Sequence, residues 1–273
     1  MRRLALSLAG IELVERHREL LDRRSRRVGI LSGAGLDSLL SSAEGGDTTA
    51  KQKLLRLLTT KFTGFFRHPS HFDIAADHTL EAARQRGGAQ LWSAGAATGE
   101  EPYSLAMRLI EVFQSDEPPA AILASDVDVD ALAVAQRGEY GEAALRGMEP
   151  GRRERFFHQA QDAQRWAVVP EARRLLEFRE LNLANVAWPV QGPFDVIFCR
   201  NVLMYLEACH RYSALERIAS LLAPDGLLML DPAEHLGKAA HLFTSSDKAV
   251  YMPRKANAGR NPFHATGATH PGL

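Results

Sequence analysis

The chain has 273 residues, of which 45% are hydrophobic and 24% charged, a globular composition with room for one large or two modest domains. Its 33 basic and 33 acidic residues give a formal net charge of zero, which argues against binding of nucleic acid through overall charge. Two cysteines are too few for a disulfide framework, and no apolar run reaches the roughly 18–20 residues that cross a bilayer. We therefore expect a cytoplasmic protein that does not insert into the membrane.

The first 62 residues are predicted to form an all-helical module. Leucines recur there at helical spacing, and the arginines within residues 16–27 add a basic face. Residues 41–49 are rich in Ser, Gly and Asp and predict a loop, after which a helix restarts over residues 51–58. A solvated helix surface is the simpler explanation of the basic face, so the face does not by itself identify a partner.

From residue 90 onward, short apolar runs alternate with helical segments. The runs cover residues 90–93, 121–124, 175–183, 194–199 and 226–230. This alternation predicts an α/β domain, over residues 63–254, with a mostly parallel sheet covered on both faces. Ligands of such sheets bind outside the carboxyl ends of the strands. Residues 255–273, rich in Gly, Ala, His, Asn and Pro, are predicted to be a flexible tail.

A glycine-containing turn follows the first predicted strand. Gly95 and Gly99 lack side chains, so a ligand can approach the backbone closely, and the next helix begins with Glu100 and Glu101. Two carboxylates at the positive end of a helix would repel the pyrophosphate of a dinucleotide, whereas they suit a cationic amino group. A tight turn followed by acids that match the helix dipole explains these residues equally well.

Two acids follow the second predicted strand. Asp126 stands at the strand end, where the hydroxyls of a ribose would be bound, and Asp128 is more simply interpreted as a helix N-cap. With the two glutamates, Asp126 favours S-adenosylmethionine over a nicotinamide dinucleotide, because the former has a ribose and an ammonium group but no phosphate. The spacing of His, Cys and Asp predicts no metal site.

Five sequence blocks, in this order, resemble the CheR-type chemotaxis methyltransferases, which are protein-glutamate O-methyltransferases. The blocks are residues 59–67, 91–104, 124–128, 181–183 and 194–205. The resemblance implies a Rossmann-like class I methyltransferase sheet with a small inserted β subdomain at about residues 142–180, preceded by the helical module. It also implies S-adenosyl-L-methionine as the cofactor and S-adenosyl-L-homocysteine as the product.

The resemblance assigns roles to the matching positions. Tyr205, beside the transferred methyl group, and Arg67 are the predicted catalytic residues. The predicted cofactor contacts are Lys61, Thr63, Arg67, Gly95, Glu100, Asp126, Asn182, Leu183, Arg200 and Asn201. If Asn201 opens a helix, Asn201 and Tyr205 share one of its faces. The alternatives are a core aromatic for Tyr205 and an ion pair with a surface acid for Arg67, while Phe65 and Phe66 are predicted to be core residues.

The chain departs from the family pattern at two places. Lys61 stands where the family usually has asparagine, so its cation could pair with the carboxylate of the cofactor or disturb the adenosine side. Residues 231–234, Asp-Pro-Ala-Glu, replace the usual Gly-His-Ser-Glu and keep only Glu234. These changes keep two alternatives open: a non-receptor protein or small molecule as acceptor, or a module that binds S-adenosylmethionine without turnover.

The expected partner is the acidic methylation region of a chemoreceptor cytoplasmic domain or a related signalling protein. In the family the N-terminal module faces this region, and residues 16–27 could supply the complementary basic charge. Residues 166–170 and 175–178 are predicted to give strands of the inserted unit, whose edge binds a receptor tail peptide in some relatives. We expect the chain to be a monomer.

Overall fold

The computed structural model describes residues 33–58, 63–246 and 248–254. Lys61 and the basic face at residues 16–27 therefore lie outside the described residues. Two helices precede the main domain, α1 (Gly33–Glu44) and α2 (Thr48–Leu58). The loop predicted over residues 41–49 is too long, because only three residues separate the two helices. Asp47 starts α2 early: its side chain accepts hydrogen bonds from the Thr49 and Ala50 N–H groups at 2.8 and 3.2 Å and caps the helix.

The main domain alternates helices and strands, as the sequence pattern predicts. In chain order its elements are α3 (Pro69–Arg86), β1 (Ala89–Ala94), α4 (Glu100–Phe113), β2 (Ala120–Asp126), α5 (Val129–Arg137), β3 (Glu139–Gly141), α6 (Pro150–Phe156), β4 (Phe157–Gln159), β5 (Arg165–Val168), α7 (Pro170–Arg173), β6 (Leu176–Glu180), β7 (Phe194–Phe198), α8 (Ala208–Leu221), β8 (Leu222–Met229), β9 (Phe243–Ser245) and β10 (Val250–Pro253). Short 3₁₀ turns cover Glu142–Leu145, Leu203–Tyr205 and Gly237–Leu242.

A seven-stranded sheet forms the centre of the domain, in the order β6-β2-β1-β7-β8-β10-β9. Its first five strands are parallel, and β10 pairs antiparallel with β8 and β9. The chain leaves β1 towards β2 on one side and reaches β7 on the other, so the strand order reverses at β1. Crevices that bind ligands in parallel α/β sheets occur at such a reversal, outside the carboxyl ends of the strands.

The central strands are buried on both faces. Leu91 packs into an apolar cluster that contains α3 and α4, whereas its neighbour Trp92 packs into a second cluster that contains α8, and both are 0% exposed. Val196 and Ile197 of β7 divide between the same two clusters. Successive side chains of a strand point to opposite faces of the sheet, and here both faces are covered by helices. This confirms the predicted α/β sheet with two covered faces.

A second, antiparallel sheet of three strands, in the order β3-β5-β4, is inserted between α5 and β6. The prediction that residues 175–178 belong to this inserted unit is wrong. Those residues contribute to β6, which pairs with β2 at the edge of the large sheet. The physical reason is burial: parallel pairing packs Leu176 and Phe178 against the main core, with the Phe178 ring centroid 6.0 Å from that of Tyr103.

Candidate active site

The loops that follow β1, β2 and β7 meet at the carboxyl edge of the sheet. The Gly95 and Ala96 N–H groups donate to the Ser125 carbonyl at 2.8 and 2.9 Å, which joins the first two loops. Gly95 has φ 92°, and a Cβ atom there would lie 2.2 Å from Val202 Cγ2. Only glycine fits that conformation and that space. The close packing of Val202, in the loop after β7, therefore explains in part why residue 95 is a glycine.

The two glutamates that open α4 have different surroundings. Glu100, 8% exposed, accepts a hydrogen bond from the Thr98 hydroxyl at 2.6 Å. Glu101 accepts one from the Ser93 hydroxyl at 2.8 Å and lies 3.3 Å from a guanidinium nitrogen of Arg200. Burial raises the pKa of both carboxyls, and for Glu101 the Arg200 charge opposes that rise. Glu101 thus has a cation inside the protein, which leaves Glu100 as the better candidate for an incoming ammonium group.

Asp126 ends β2 and fixes the neighbouring loop. Its two carboxylate oxygens accept hydrogen bonds from the Ala97 N–H at 2.8 Å and the Asp128 N–H at 2.9 Å. A carboxylate has about four lone-pair positions, so these two bonds leave capacity for ribose hydroxyls. Burial raises the pKa of Asp126, and both backbone donors oppose that rise. Asp128 accepts bonds from the Asp130 and Ala131 N–H groups, which confirms that it is the N-cap of α5.

Asn182 and Leu183 lie beside Asp126, in the loop after β6. The Leu181 N–H donates to the Asp126 carbonyl at 3.0 Å and holds this loop against the end of β2. The Asn182 side chain accepts a bond from the Ala184 N–H at 2.9 Å, and Leu183 is buried in the second apolar cluster. An adenine attached to a ribose at Asp126 would be close to these residues.

The segment before α3 is anchored through its two phenylalanines. Phe65 packs edge-on against Tyr140 and Phe157 of the inserted sheet, with centroids 5.0 and 5.3 Å apart. The Phe66 N–H donates to the Ser104 hydroxyl at 2.9 Å, and the Arg152 guanidinium lies 4.1 Å above the Phe66 ring. Both phenylalanines pack against the main core, so the core interpretation is confirmed. Thr63, two residues earlier, is half-buried at the start of this segment.

Arg67 lies between two residues in the left-handed region, Phe66 at φ 51° and His68 at φ 59°. Such non-glycine conformations cost about 1 kcal/mol or more each and persist only where surrounding contacts enforce them. Here Arg67 donates to the Asn201 side-chain oxygen at 2.9 Å and lies 3.3 Å from Asp231 Oδ2, while Arg200 donates to the Arg67 carbonyl at 2.8 Å. The kinked backbone thus directs Arg67 towards the loop after β7.

Arg67 forms the ion pair that was predicted from the sequence as an alternative for it. Its partner, Asp231, is a buried acid and not the surface acid that was expected. It is 5% exposed, and His68 Nε2 lies 3.5 Å from the same carboxylate oxygen. Burial opposes ionisation of Asp231, but the Ala233 N–H, the Asn201 side chain and the Arg67 charge outweigh it, so its pKa lies below the usual value. The residue that departs from the family pattern is therefore part of the Arg67 environment.

Glu234 organises the loop that contains Tyr205. Its carboxylate accepts hydrogen bonds from four backbone N–H groups, those of Asn201, Val202, Met204 and Asp231, at 2.8 to 3.2 Å. Asn201 has φ 59°, and only the 3₁₀ turn Leu203–Tyr205 follows it. The condition under which Asn201 and Tyr205 would share a helix face is therefore not met, because the N–H groups of the loop bond to Glu234 instead. Tyr205 ends the turn and is half-buried.

The structure brings most of the predicted site residues to one edge of the sheet. The first group consists of Gly95 after β1, Glu100 at the start of α4, Asp126 at the end of β2, and Asn182 and Leu183 in the loop after β6. A second group joins Arg67, Arg200 and Asn201 with the loop that ends at Tyr205. The Arg200 side chain is only 2% exposed, so its role is to hold Glu101 and the Arg67 carbonyl in place. No role was predicted from the sequence for Asp231 or Glu234. A signal existed for Glu234, because it is the one residue of the changed segment 231–234 that keeps the family's amino acid.

The family model described as CheR methyltransferase, SAM binding domain, matches residues 61–252. The chain belongs to this family. It is 36% identical to chemotaxis protein methyltransferase 2 of Pseudomonas aeruginosa over 249 residues, which cover 90% of the chain and 89% of that relative. It is 34% identical to the probable chemotaxis protein methyltransferase of Rhizobium etli over 264 residues, covering 92% and 97%. With the chemotaxis protein methyltransferase of Escherichia coli the identity is 35% over 254 residues, covering 90% and 87%.

Membership of the CheR family confirms the resemblance, the class I methyltransferase fold and the S-adenosylmethionine cofactor. The geometry fits that cofactor: a buried acid, Glu100, begins α4, and a second acid, Asp126, ends the neighbouring strand β2. No helix among the described residues is long and apolar enough to span a membrane.

Proposed function

We propose that this CheR family member transfers a methyl group to glutamate side chains in the acidic methylation region of a chemoreceptor cytoplasmic domain or a related signalling protein. The observation that carries the proposal is the contact between the Arg67 group and the Tyr205 loop, through Asn201, Asp231 and Glu234, beside the cofactor residues. The proposal is further supported by the printed names of the similar proteins, which are chemotaxis protein methyltransferases.

The reaction needs positioning more than proton transfer. S-adenosylmethionine supplies a methyl group on a positively charged sulfur. A substrate glutamate, with a reference pKa of about 4.3, is ionised near neutral pH and attacks in line without a general base. The protein has to align the carboxylate with the methyl group and exclude water from it. We assign the ammonium group to Glu100, the ribose to Asp126 and the adenine side to Asn182 and Leu183.

Tyr205 and Arg67 are proposed to act on the acceptor side. The neutral Tyr205 hydroxyl would orient the glutamate carboxylate without adding charge. Arg67 would attract the acceptor carboxylate, but the reaction consumes both the carboxylate and the sulfonium charge, so an uncompensated cation would stabilise the ground state more than the transition state. Asp231, 3.3 Å from Arg67, reduces that cost.

Replacing Asp231 with asparagine tests this balance of charge. The variant keeps an acceptor for the Ala233 N–H but removes the Asp231 charge from beside Arg67, so we expect kcat to fall about tenfold, equivalent to about 1.4 kcal/mol in activation free energy, without a rise in KM for the acceptor. Steady-state kinetics measure both constants. Asp225→Asn, an exposed partner of Arg86, is the matched control and should behave as wild type. A kcat unchanged in Asp231→Asn would contradict the assigned role.

Replacing Asp126 with alanine tests the ribose assignment. Two ribose hydroxyls would lose their acceptor, so we expect the affinity for S-adenosylhomocysteine to weaken by about 1–3 kcal/mol, roughly 5- to 150-fold. Titration calorimetry measures this change, with Asp116→Ala, an exposed acid, as control. Equal affinity in wild type and Asp126→Ala would remove Asp126 from the cofactor site.

Methyl transfer itself is tested with S-adenosylmethionine labelled on the methyl group and a purified chemoreceptor cytoplasmic fragment. We expect label that mild base releases as methanol, the signature of a carboxyl ester, and its loss when the receptor glutamates are replaced by alanine. Tyr205→Phe should lower kcat while S-adenosylhomocysteine still binds. Label on another protein or small molecule would support a different acceptor. Binding without turnover on any acceptor would support the non-catalytic alternative, and comparison with Lys61→Asn would show whether Lys61 is the cause.

We also propose a division of the chain into a helical N-terminal module (1–62) that faces the receptor, a methyltransferase domain (63–254) and a tail (255–273). The inserted unit, expected at about 142–180, is corrected to the β3-β5-β4 sheet within residues 139–168. Sedimentation of the full chain tests the expected monomer. Deletion of residues 1–32 should weaken receptor methylation more than binding of S-adenosylhomocysteine.

A further inference from the structure

Three metal-ligating side chains of different chemistry converge where α8 begins. Cys209 Sγ lies 3.2 Å from Glu207 Oε2 and 3.6 Å from His210 Nδ1, and that imidazole nitrogen lies 3.5 Å from the same carboxylate oxygen. One sulfur, one nitrogen and one oxygen thus form a nearly equilateral triangle. The spacing of His, Cys and Asp in the sequence predicted no metal site, so this cluster is visible only in the structure.

Two sides of the triangle match those of a tetrahedral zinc site, and the third is slightly short. Zinc binds thiolate sulfur at about 2.3 Å and nitrogen or carboxylate oxygen at about 2.0–2.2 Å, so its ligand atoms lie about 3.3–3.6 Å apart at tetrahedral angles. The nitrogen–oxygen separation of 3.5 Å and the sulfur–nitrogen separation of 3.6 Å agree with these values within about 0.1 Å. The sulfur–oxygen separation of 3.2 Å is about 0.3 Å shorter than a tetrahedral sulfur–zinc–oxygen pair, which spans about 3.5 Å or more. An ion placed on one side of the triangle would therefore reach all three atoms once the Cys209 and Glu207 side chains move apart by about 0.3 Å, which side-chain rotation allows without movement of the backbone.

The ligand chemistry selects the class of ion. Thiolate and imidazole favour zinc and similar borderline metals, whereas magnesium and calcium take oxygen ligands. Thiolate and carboxylate together carry two negative charges, which a divalent ion would neutralise. The charge balance therefore favours zinc over a monovalent cation.

The position allows an ion to enter and a water molecule to complete the coordination. Cys209 is exposed, and the side chains of Glu207 and His210 are 37% and 31% exposed. The backbone beneath them is ordered by the helix, since the Arg211 N–H donates to the Glu207 carbonyl at 2.9 Å. The ligands therefore stand on a formed helical turn that opens to solvent.

We propose that Glu207, Cys209 and His210 form a zinc-binding site with water as the fourth ligand. The site lies outside the cofactor residues, and its existence does not depend on the proposed methyl transfer. It begins two residues after Tyr205, on the chain that leaves the active-site loop.

Cobalt substitution tests the site directly on the full chain. Titration with Co²⁺ under a non-thiol reductant should give a thiolate-to-cobalt charge-transfer band in the near ultraviolet and visible bands of tetrahedral intensity, saturating at one equivalent. The chain has two cysteines and Cys199 is fully buried, so this band reports Cys209, whereas other histidines would bind cobalt without it. Addition of Zn²⁺ should abolish the band. Absence of the charge-transfer band would overturn the proposal.

Variants give the second measurement. Zinc affinity, determined by competition with a chromophoric chelator, should fall at least about 10- to 100-fold in each of Cys209→Ser, His210→Gln and Glu207→Gln. His158→Gln, an exposed histidine on β4, is the matched control and should retain wild-type affinity. Thermal unfolding without metal verifies that each variant is folded. If the three variants bind zinc as tightly as wild type does, the metal is held elsewhere and the proposed site does not exist.

Discussion

Replacing Glu234 with glutamine is expected to abolish methyl transfer and to lower the free energy of unfolding by about 2–4 kcal/mol. The carboxylate oxygens of Glu234 each accept two backbone N–H groups, and the residue is 4% exposed. Glutamine has the same size but only one acceptor oxygen, so its amide group would face two N–H donors and leave them unsatisfied. Because these donors shape the loop that ends at Tyr205, activity should be lost even at temperatures where the variant is folded.

Chemical denaturation and the methyl-transfer assay measure the two effects of this change. Glu216→Gln, an exposed glutamate on α8, is the matched control and should leave both quantities unchanged. Binding of S-adenosylhomocysteine should fall less than activity in Glu234→Gln, since Glu100 at the start of α4 and Asp126 at the end of β2 lie outside this loop. Wild-type stability together with wild-type activity would show that the loop does not depend on the four hydrogen bonds.

Replacing Arg200 with methionine is expected to destabilise the protein by about 3–5 kcal/mol, the usual cost of removing one partner from a buried ion pair. The Arg200 side chain is 2% exposed and lies 3.3 Å from Glu101, whose side chain is 14% exposed. The variant would leave Glu101 buried without its cation and the Arg67 carbonyl without its donor. Cofactor binding and methyl transfer should both decrease, because Arg67 and the start of α4 depend on this pair.

A double-mutant cycle separates the ion pair from the rest of the Arg200 environment. Arg200→Met combined with Glu101→Leu removes both charges, so we expect it to be more stable than Arg200→Met alone. Arg174→Met, on an exposed arginine, is the control for loss of a surface charge and should change stability by less than about 0.5 kcal/mol. If the double variant were destabilised by the sum of the two single changes, the two side chains would not be coupled.

The predicted site residues differ in how far local sequence could place them. Gly95 and Asp126 follow apolar runs that are recognisable as strands, and parallel strands bring their carboxyl ends to one edge, so their proximity follows from the fold class. Thr63, Arg67 and Tyr205 follow no strand pattern and came from the family resemblance alone. The resemblance could not predict the contact of Arg67 with Asp231, because the chain differs from the family pattern at residue 231.

One expectation and one condition raised by the sequence were not met, because their outcome depends on distant partners. A helix starting at Asn201 was plausible locally, but Glu234, some 30 positions later, accepts the N–H groups of that loop. Residues 175–178 suited a strand in either sheet, and pairing with β2 was favoured because it packs the partly buried Leu176 and Phe178 against the main core. Buried backbone groups must be hydrogen-bonded, and which acceptor satisfies them depends on the whole fold.

The sequence by itself determined the family, the cofactor and the alternating α/β architecture, because hydrophobic periodicity and short ordered motifs are local properties of the chain. The tertiary structure decided which groups meet: Arg67 with Asp231 across 164 positions, Glu101 with Arg200, and Glu234 with four N–H groups. Even the triangle of Glu207, Cys209 and His210, although local, depends on side-chain directions at the start of α8. Such contacts are set by burial and hydrogen-bond satisfaction summed over the whole domain, which no local pattern contains.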